Sequence, residues 1–253
     1  MPPRVQVLQS HRTPLPAAWY ETCTASVRKW AEGRGYDYRW MGDELFDPLS
    51  AELKQKTLGQ RAIAADLGRL HALRQSLAAG FDTAVWIDAD VFVLAPERLE
   101  LLDAGHAFGR EVWVQGQGAD WRVYSKVHNA FMQFAAGDPL LGTYRYLAER
   151  ILYRHRGALV PQLIGPKLLA TLHNLLDFPV IEPAAVLSPP VVRDLLSDGG
   201  RALDLFRARS PCVPAAVNLC GSLVAAGELV DAEIDEIIER LRSAPELLAQ
   251  LRD

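Results

Sequence analysis

Between Thr83 and Leu94 the chain reads TAVWIDADVFVL, a strand-like apolar run interrupted by two carboxylates, Asp88 and Asp90. Buried strands keep no charge for packing, because a carboxylate out of water must be neutralised, hydrogen-bonded or bound to a metal. Read as one strand, the run points positions i and i+2 to the same side, so Asp88 and Asp90 converge on one point. Two hard oxygen ligands at a strand exit suit Mg²⁺ or Mn²⁺ that also holds a substrate phosphate. This segment therefore predicts an α/β protein carrying a metal–diphosphate site.

The surrounding pattern agrees with an α/β order. Arg4 to Gln9 reads as a first strand, and Ala17 to Arg34 as a helix with Trp19, Cys23, Val27, Trp30 and Ala31 on one face, closed by Gly33 and Gly35. Tyr36 to Trp40 alternates as a second strand, which makes a parallel strand–helix–strand unit. A helix is predicted from Thr57 to Ala79, with Thr57 and Gln60 as a capping box, Gly80 as its end, and Ile63, Leu67, Leu70, Leu73 and Leu77 as its apolar face. The strand bearing Asp88 and Asp90 follows directly, and ligand sites of open α/β sheets gather at strand carboxyl ends.

Further along, Phe108 to Val114 and His128 to Phe134 read as strands, with a Gly-rich turn over Gln115 to Gly118. Helices are predicted over Pro139 to Tyr153, Pro166 to Leu176, Val230 to Leu241 and Ala244 to Leu251, the last capped by Ser243 and Glu246; Val180 to Leu187 reads as extended.

The chain has 253 residues, enough for one sizeable domain with a buried core. We read residues 1–253 as a single domain of two halves, 1–110 and 111–253. A net charge of −4 argues against a nucleic-acid-binding surface. Cys23, Cys212 and Cys220 are too scattered for a disulfide framework or a four-cysteine zinc site, and read as reduced, buried thiols. No secretory signal and no membrane-spanning run is visible, so a cytoplasmic protein with at most peripheral membrane contact is expected.

Asp66 and Arg69 lie three apart on one helix face. As a surface ion pair they would contribute little. Beside Asp88 and Asp90 they take on another meaning: Asp66 can accept from a base or ribose hydroxyl, and Arg69 can meet a phosphate or pair with Asp66.

Ala64-Ala65-Asp66-Leu67-Gly68-Arg69, then Gly80, then Trp86-Ile87-Asp88-Ala89-Asp90 resembles the core of bacterial GT-A glycosyltransferases with a DXD sugar-binding region. It is similar to the yeast mannosyltransferase-like group and to the glucosyltransferase domains of large clostridial toxins. Ala65 stands where that pattern often has serine, and the double glycine before the strand is missing. Trp30, Tyr36, Tyr38 and Asp43 follow the family's upstream spacing; His128-Asn129-Ala130-Phe131-Met132 resembles its asparagine motif, and Ile164-Gly165-Pro166-Lys167 its Gly-Pro turn.

The resemblance implies a GT-A-like domain, with a mixed, mainly parallel sheet flanked by helices, residues 1–110 being the nucleotide-sugar-binding half and 111–253 the acceptor side. It implies a retaining transfer from a nucleotide-sugar, a UDP-sugar first, to a glycan or lipid-linked acceptor. Asp66, Arg69, Asp88 and Gln9 would hold the donor. Asp88 and Asp90 would bind Mn²⁺ or Mg²⁺, with Asn218 as a third ligand. Asp88, Asp90 and Asn129 would serve the transfer. The metal would neutralise charge building on the departing diphosphate.

Two other readings of the same residues stand beside it. A haloacid-dehalogenase-type phosphatase also carries Asp-x-Asp after an apolar strand, and a nucleotide-sugar-binding protein without catalysis would keep the same pocket. The basic and aromatic segment Tyr144 to Arg156 fits an anionic membrane surface, but more simply a solvated helix face, the reading preferred here.

Overall fold

The computed structural model describes residues 2–249. In chain order the first half forms β1 (Val5–Ser10), α1 (Trp19–Gly33), β2 (Asp37–Met41), α2 (Ala51–Thr57), α3 (Arg61–Ala78), β3 (Thr83–Ile87) and β4 (Val91–Val93). A long hairpin, β5 (His106–Gln117) and β6 (Asp120–Ala135), leads to α4 (Pro139–Arg154) and α5 (Pro166–Leu176). The remainder comprises β7 (Val180–Ile181), β8 (Ala184–Val186), α6 (Pro189–Leu196), α7 (Arg201–Arg209), β9 (Ala216–Asn218), α8 (Gly221–Ala225) and α9 (Asp231–Ser243).

Six strands form the main sheet in the order β2-β1-β3-β6-β5-β7. It is mixed: β1–β2, β1–β3 and β5–β7 are parallel, whereas β3–β6 and β5–β6 are antiparallel. Successive residues supply opposite faces, as the two-residue strand period requires. Leu8 and Trp86 pack with Leu67 and Leu70 of α3 and Leu169 of α5, while Val7 and Val85 pack with Val27 and Trp30 of α1. A smaller sheet, β4-β9-β8, sits against the main one and is covered by Leu203 and Phe206 of α7 and Ile234 and Ile237 of α9.

The glycines after α1 and α3 end their helices by the same device. At Gly35 (φ +71°) the Tyr36 N–H reaches Ala31 O at 2.9 Å and the Gly35 N–H reaches Glu32 O at 3.0 Å. Gly80 (φ +92°) repeats the pattern, with Phe81 N–H to Ser76 O and its own N–H to Leu77 O. Both are αL caps that satisfy the last carbonyls, and glycine adopts that backbone without a Cβ penalty.

Several expectations need correction. The helix expected from Thr57 to Ala79 is α3, which starts only at Arg61; Thr57 instead ends the preceding α2, its hydroxyl donating to Leu53 O at 2.8 Å, and caps nothing. The N-cap of α2 is Ser50, whose hydroxyl accepts from Leu53 N–H at 3.2 Å. The Thr83–Leu94 run is not one strand but β3 and β4, which belong to different sheets, with a turn closed by Val91 N–H to Asp88 O at 3.1 Å. The strand argument for Asp88 and Asp90 facing one way therefore fails, although both lie beyond the carboxyl end of β3.

β5 and β6 also run past the expected ends and meet at Gln117–Asp120. Residues 180–187 form two short strands in separate sheets, and α6, α7, β9 and α8 were not foreseen. Ser243 is the last residue of α9 rather than a cap; Pro245–Leu248 is a 3₁₀ turn, and the expected helix beyond residue 249 falls outside the described residues. Cys212 is exposed, against the expectation of buried thiols. Among the described residues no helix is long and apolar enough to cross a membrane.

Candidate active site

At the end of β3 the chain stops pairing as a strand and presents Asp88. Its Oδ1 accepts from the Trp86 indole N–H at 2.6 Å, and Arg69 approaches the same oxygen at 3.1 Å. Arg69 comes from α3, where the i, i+3 spacing sets it beside Asp66 at 3.3 Å. Its Nη1 also donates to Asn129 O at 2.9 Å, and the guanidinium lies 5.3 Å from the Trp86 ring centre. One cation thus ties α3, β3 and β6 together.

Asn129 reaches this cluster because β6 bulges. Phe108 pairs with Met132 and Gly109 with His128, so residues 129–131 have no opposite number on β5. Such extra residues bend a strand and re-aim its side chains. The Asn129 amide donates to Asp66 Oδ1 at 2.8 Å. The bulge itself rests on Gly109, where an added Cβ would lie 2.2 Å from His128 Nε2. His128 fills that space, donating from Nε2 to Ala184 O at 3.0 Å while Nδ1 accepts from Ala130 N–H at 3.1 Å. Burial drives its pKa down to about 4, so it is neutral and packs as a strut.

Asp66 and Arg69 are buried, and Asp88 is the more open of the two carboxylates that Arg69 meets, its side chain being 24% exposed. Burial lifts the Asp66 carboxyl to about 6, and Arg69 pulls the other way. Gly165, in the Gly-Pro turn before α5, closes over this carboxylate: a Cβ there would sit 2.3 Å from Asp66 Oδ2. Tyr144 from α4 holds the turn by donating to Ile164 O at 3.0 Å. Gln9 is fully buried; its amide donates to Asp88 O at 3.0 Å and its carbonyl accepts from the Tyr38 hydroxyl at 3.0 Å, bracing Asp88 from behind.

Asp90 is held from the far end of the chain. Asn218, at the end of β9, donates its amide to Oδ1 at 2.7 Å, and the Gly221 N–H donates to Oδ2 at 2.8 Å. Burial, and then the neighbouring charge of Asp88, raise the Asp90 carboxyl to about 6. The donor set suits a divalent cation. Two carboxylates repel each other here, and Asp90 has neutral N–H donors but no cation within ion-pair distance among the described residues. No group of three His, Cys, Asp or Glu side chains suited to a metal occurs among those residues, so other positions would fall to water or substrate phosphate, as is usual for Mg²⁺.

The structure therefore brings Asp66, Arg69, Asp88, Gln9 and Asn129 into one cluster, and Asp90 with Asn218 into an adjoining one. The 1–110 and 111–253 division does not separate them, since Asn129, Asn218 and Gly221 all serve carboxylates of the first half. His173 lies elsewhere, its Nδ1 accepting from Phe178 N–H at 3.0 Å. Sequence reasoning missed Trp86 and Tyr144 as partners of this site, and Tyr20, whose hydroxyl leaves no room for a Cβ on Gly221. Only Gly165 and Gly221, each beside residues already singled out, offered a signal.

Fold and site together define a mixed α/β protein with a carboxylate pair at the carboxyl edge of its sheet. No protein-family model and no curated protein matches the chain. Among solved structures it is similar to a glycosyltransferase involved in the glycosylation of the major capsid of PBCV-1, at 15% identity and a TM-score of 0.47, covering 94% of this chain and 99% of that one. It is also similar to the apo-form glycosyltransferase GlyE of Streptococcus pneumoniae TIGR4, at 12% identity and a TM-score of 0.41, covering 95% of this chain and 63% of that one. Likeness at this distance does not assign a site, which rests on the residues above.

Proposed function

We propose that this protein is a metal-dependent glycosyltransferase that moves a sugar from a nucleotide-sugar, UDP-linked first, to a glycan or lipid-linked acceptor, with retention of configuration. The observation that carries the reading is the pairing of Asp88 and Asp90 beyond β3, where the charge of Asp88 raises the Asp90 carboxyl and, among the described residues, no cation lies within ion-pair distance of Asp90. Asp88 and Asp90 would hold Mn²⁺ or Mg²⁺, which supplies Lewis-acid neutralisation of the diphosphate leaving group.

The chain's own groups do the positioning. Arg69 fixes the Asp88 carboxylate and Asp66 at once, Asn218 and Gly221 orient Asp90, and Asn129 holds Asp66 in place. A cytoplasmic setting, with contact at the inner face of a membrane when the acceptor is lipid-linked, belongs to the same proposal. The phosphatase reading is less favoured, because Asp88, the nucleophile it needs, is engaged by Arg69 and the Trp86 N–H.

The test is calorimetric titration of UDP, GDP and their sugars into the protein, with Mn²⁺ and with chelator. Metal-dependent binding of one diphosphate, abolished by Asp90→Ala with the fold intact, is the expected result. Absence of binding by every nucleotide would overturn the reading.

A further inference from the structure

We propose that the outward face of the β5–β6 hairpin is the acceptor subsite, and that it takes a pyranose on Trp113 and Tyr124 with a hydroxyl donated to Glu111. This rests on the glycosyltransferase reading above and adds the acceptor class to it.

The hairpin stands where an acceptor would have to be. β5 runs parallel to the direction of β3 and continues beyond the level at which β3 ends, while β6 descends beside it to the Asn129 bulge. Its free length therefore rises from the carboxyl edge that carries Asp88. One face is spoken for: Val112 and Val114 are buried, and with Trp121 and Val123 they pack on Ala185, Val217 and Leu219 of the smaller-sheet region. The alternate residues form the other face, where Trp113 lies opposite Tyr124 and Glu111 opposite Lys126.

Glu111 is the unexplained group on this face. It is half-buried, and burial raises its carboxyl above the usual range. Lys126, directly across the ladder, offers an obvious ion pair, yet its ammonium lies 5.1 Å from the Tyr124 ring centre instead. Among the described residues Glu111 accepts no hydrogen bond and makes no ion pair within 4 Å. Its carboxylate oxygens are not sealed from solvent, so a ligand hydroxyl can donate to them in place of water. A neighbouring Trp–Tyr pair offers flat apolar surface with polar edges, suited to the C–H face of a sugar ring whose hydroxyls point outward. Glu111 would thus position the acceptor.

The test is saturation-transfer NMR with methyl α- and β-glycosides of glucose, galactose, mannose and N-acetylglucosamine, on protein loaded with Mn²⁺ and the diphosphate that binds it. One glycoside should receive saturation from the wild type. Glu111→Gln and Trp113→Ala should each weaken that binding at least tenfold, with Trp113→Tyr retaining most of it, while diphosphate affinity measured by calorimetry stays unchanged. Diphosphate binding without any glycoside binding, or glycoside binding indifferent to both variants, overturns the acceptor assignment alone. Failure to bind any diphosphate instead removes the glycosyltransferase reading and this proposal with it.

Discussion

Asn218 donates its amide nitrogen to Asp90 Oδ1 at 2.7 Å while its amide oxygen accepts from Cys220 N–H at 2.8 Å. A backbone N–H can only donate, so the second bond fixes which end of the amide faces Asp90. The residue expected as a third metal ligand therefore stands here as a donor to a carboxylate, orienting it.

That arrangement predicts different outcomes for two substitutions. Asn218→Ala should lower Mn²⁺-dependent diphosphate affinity roughly 10–100-fold, the usual effect of losing a group that orients a ligand. Asn218→Asp places a third negative group beside Asp90 and Asp88, so the metal-free protein should melt lower and regain the loss when Mn²⁺ is added. Calorimetry and thermal unfolding with and without metal read both. Unchanged affinity in Asn218→Ala would remove the orienting role.

Among the described residues Arg69 is the one cation paired with Asp66 and Asp88, and its side chain is only 9% exposed. Truncating one partner of a buried ionic cluster leaves uncompensated charge, at about 3–5 kcal/mol. Arg69→Met should therefore destabilise by that order in urea unfolding. Adding Asp66→Asn should recover part of the loss, because it removes one stranded carboxylate. Purely additive losses in the double variant would show that Arg69 does not act through Asp66.

Gly165 and Gly142 offer a matched pair. A Cβ on Gly165 would lie 2.3 Å from Asp66 Oδ2 and 2.8 Å from Asn129 Nδ2, whereas one on Gly142 in α4 meets nothing within 4 Å. Gly165→Ala should cost about 1–3 kcal/mol, as overpacking of a filled interior does. Gly142→Ala should stabilise by about 0.5–1 kcal/mol through helix propensity. Equal effects in chemical denaturation would contradict the close packing of the Gly165 turn on Asp66.

The first half of this fold is legible in the sequence because its signals are local. The α1 face from Trp19 to Trp30, the glycine ends at Gly35 and Gly80, and the Asp66–Arg69 pair follow from spacing and side-chain chemistry, whereas Asp88 and Asp90 are set by the turn after β3 and not by the strand period expected of them. The break between Ile87 and Val91 was hidden because Val91, Phe92 and Val93 are as strand-like as the residues before Asp88; only their pairing with β9, over a hundred residues on, reveals a second sheet. The Asn129 bulge was hidden for a related reason. Its signal is a glycine at 109 on another strand, meaningful only once Gly109 is known to face His128. The start of α3 at Arg61 was misplaced because Thr57 followed by Gln60 imitates a capping box, whereas Gln60 is itself the N-cap position of α3 and Thr57 ends the separate α2. Asn218 and Gly221 reach Asp90 from more than a hundred residues away, and Tyr20 packs against Gly221, arrangements that no local pattern encodes.

His128 gives the fold a pH response that can be isolated. Its ring is neutral because Nδ1 must accept from Ala130 N–H while Nε2–H donates to Ala184 O, and burial holds its pKa at about 4 against 6.5 for a free histidine. Between those values the unfolded chain binds the proton and the folded one does not, so this stability is present above about pH 6.5 and is lost as pH falls toward 4. The gap corresponds to roughly 3 kcal/mol. Asp66 and Asp90 run the opposite way. Their carboxyls are raised to about 6 from 3.8, so their contribution is full below about pH 4 and is lost as pH rises through 6. Wild-type stability alone therefore mixes opposing slopes over one window. The difference between wild type and His128→Gln cancels the two aspartates and leaves the histidine. That difference, from urea unfolding at intervals between pH 4 and 7.5, should shrink by about 3 kcal/mol on going from pH 7 to pH 4. A difference independent of pH would mean that His128 is not held neutral beneath Gly109.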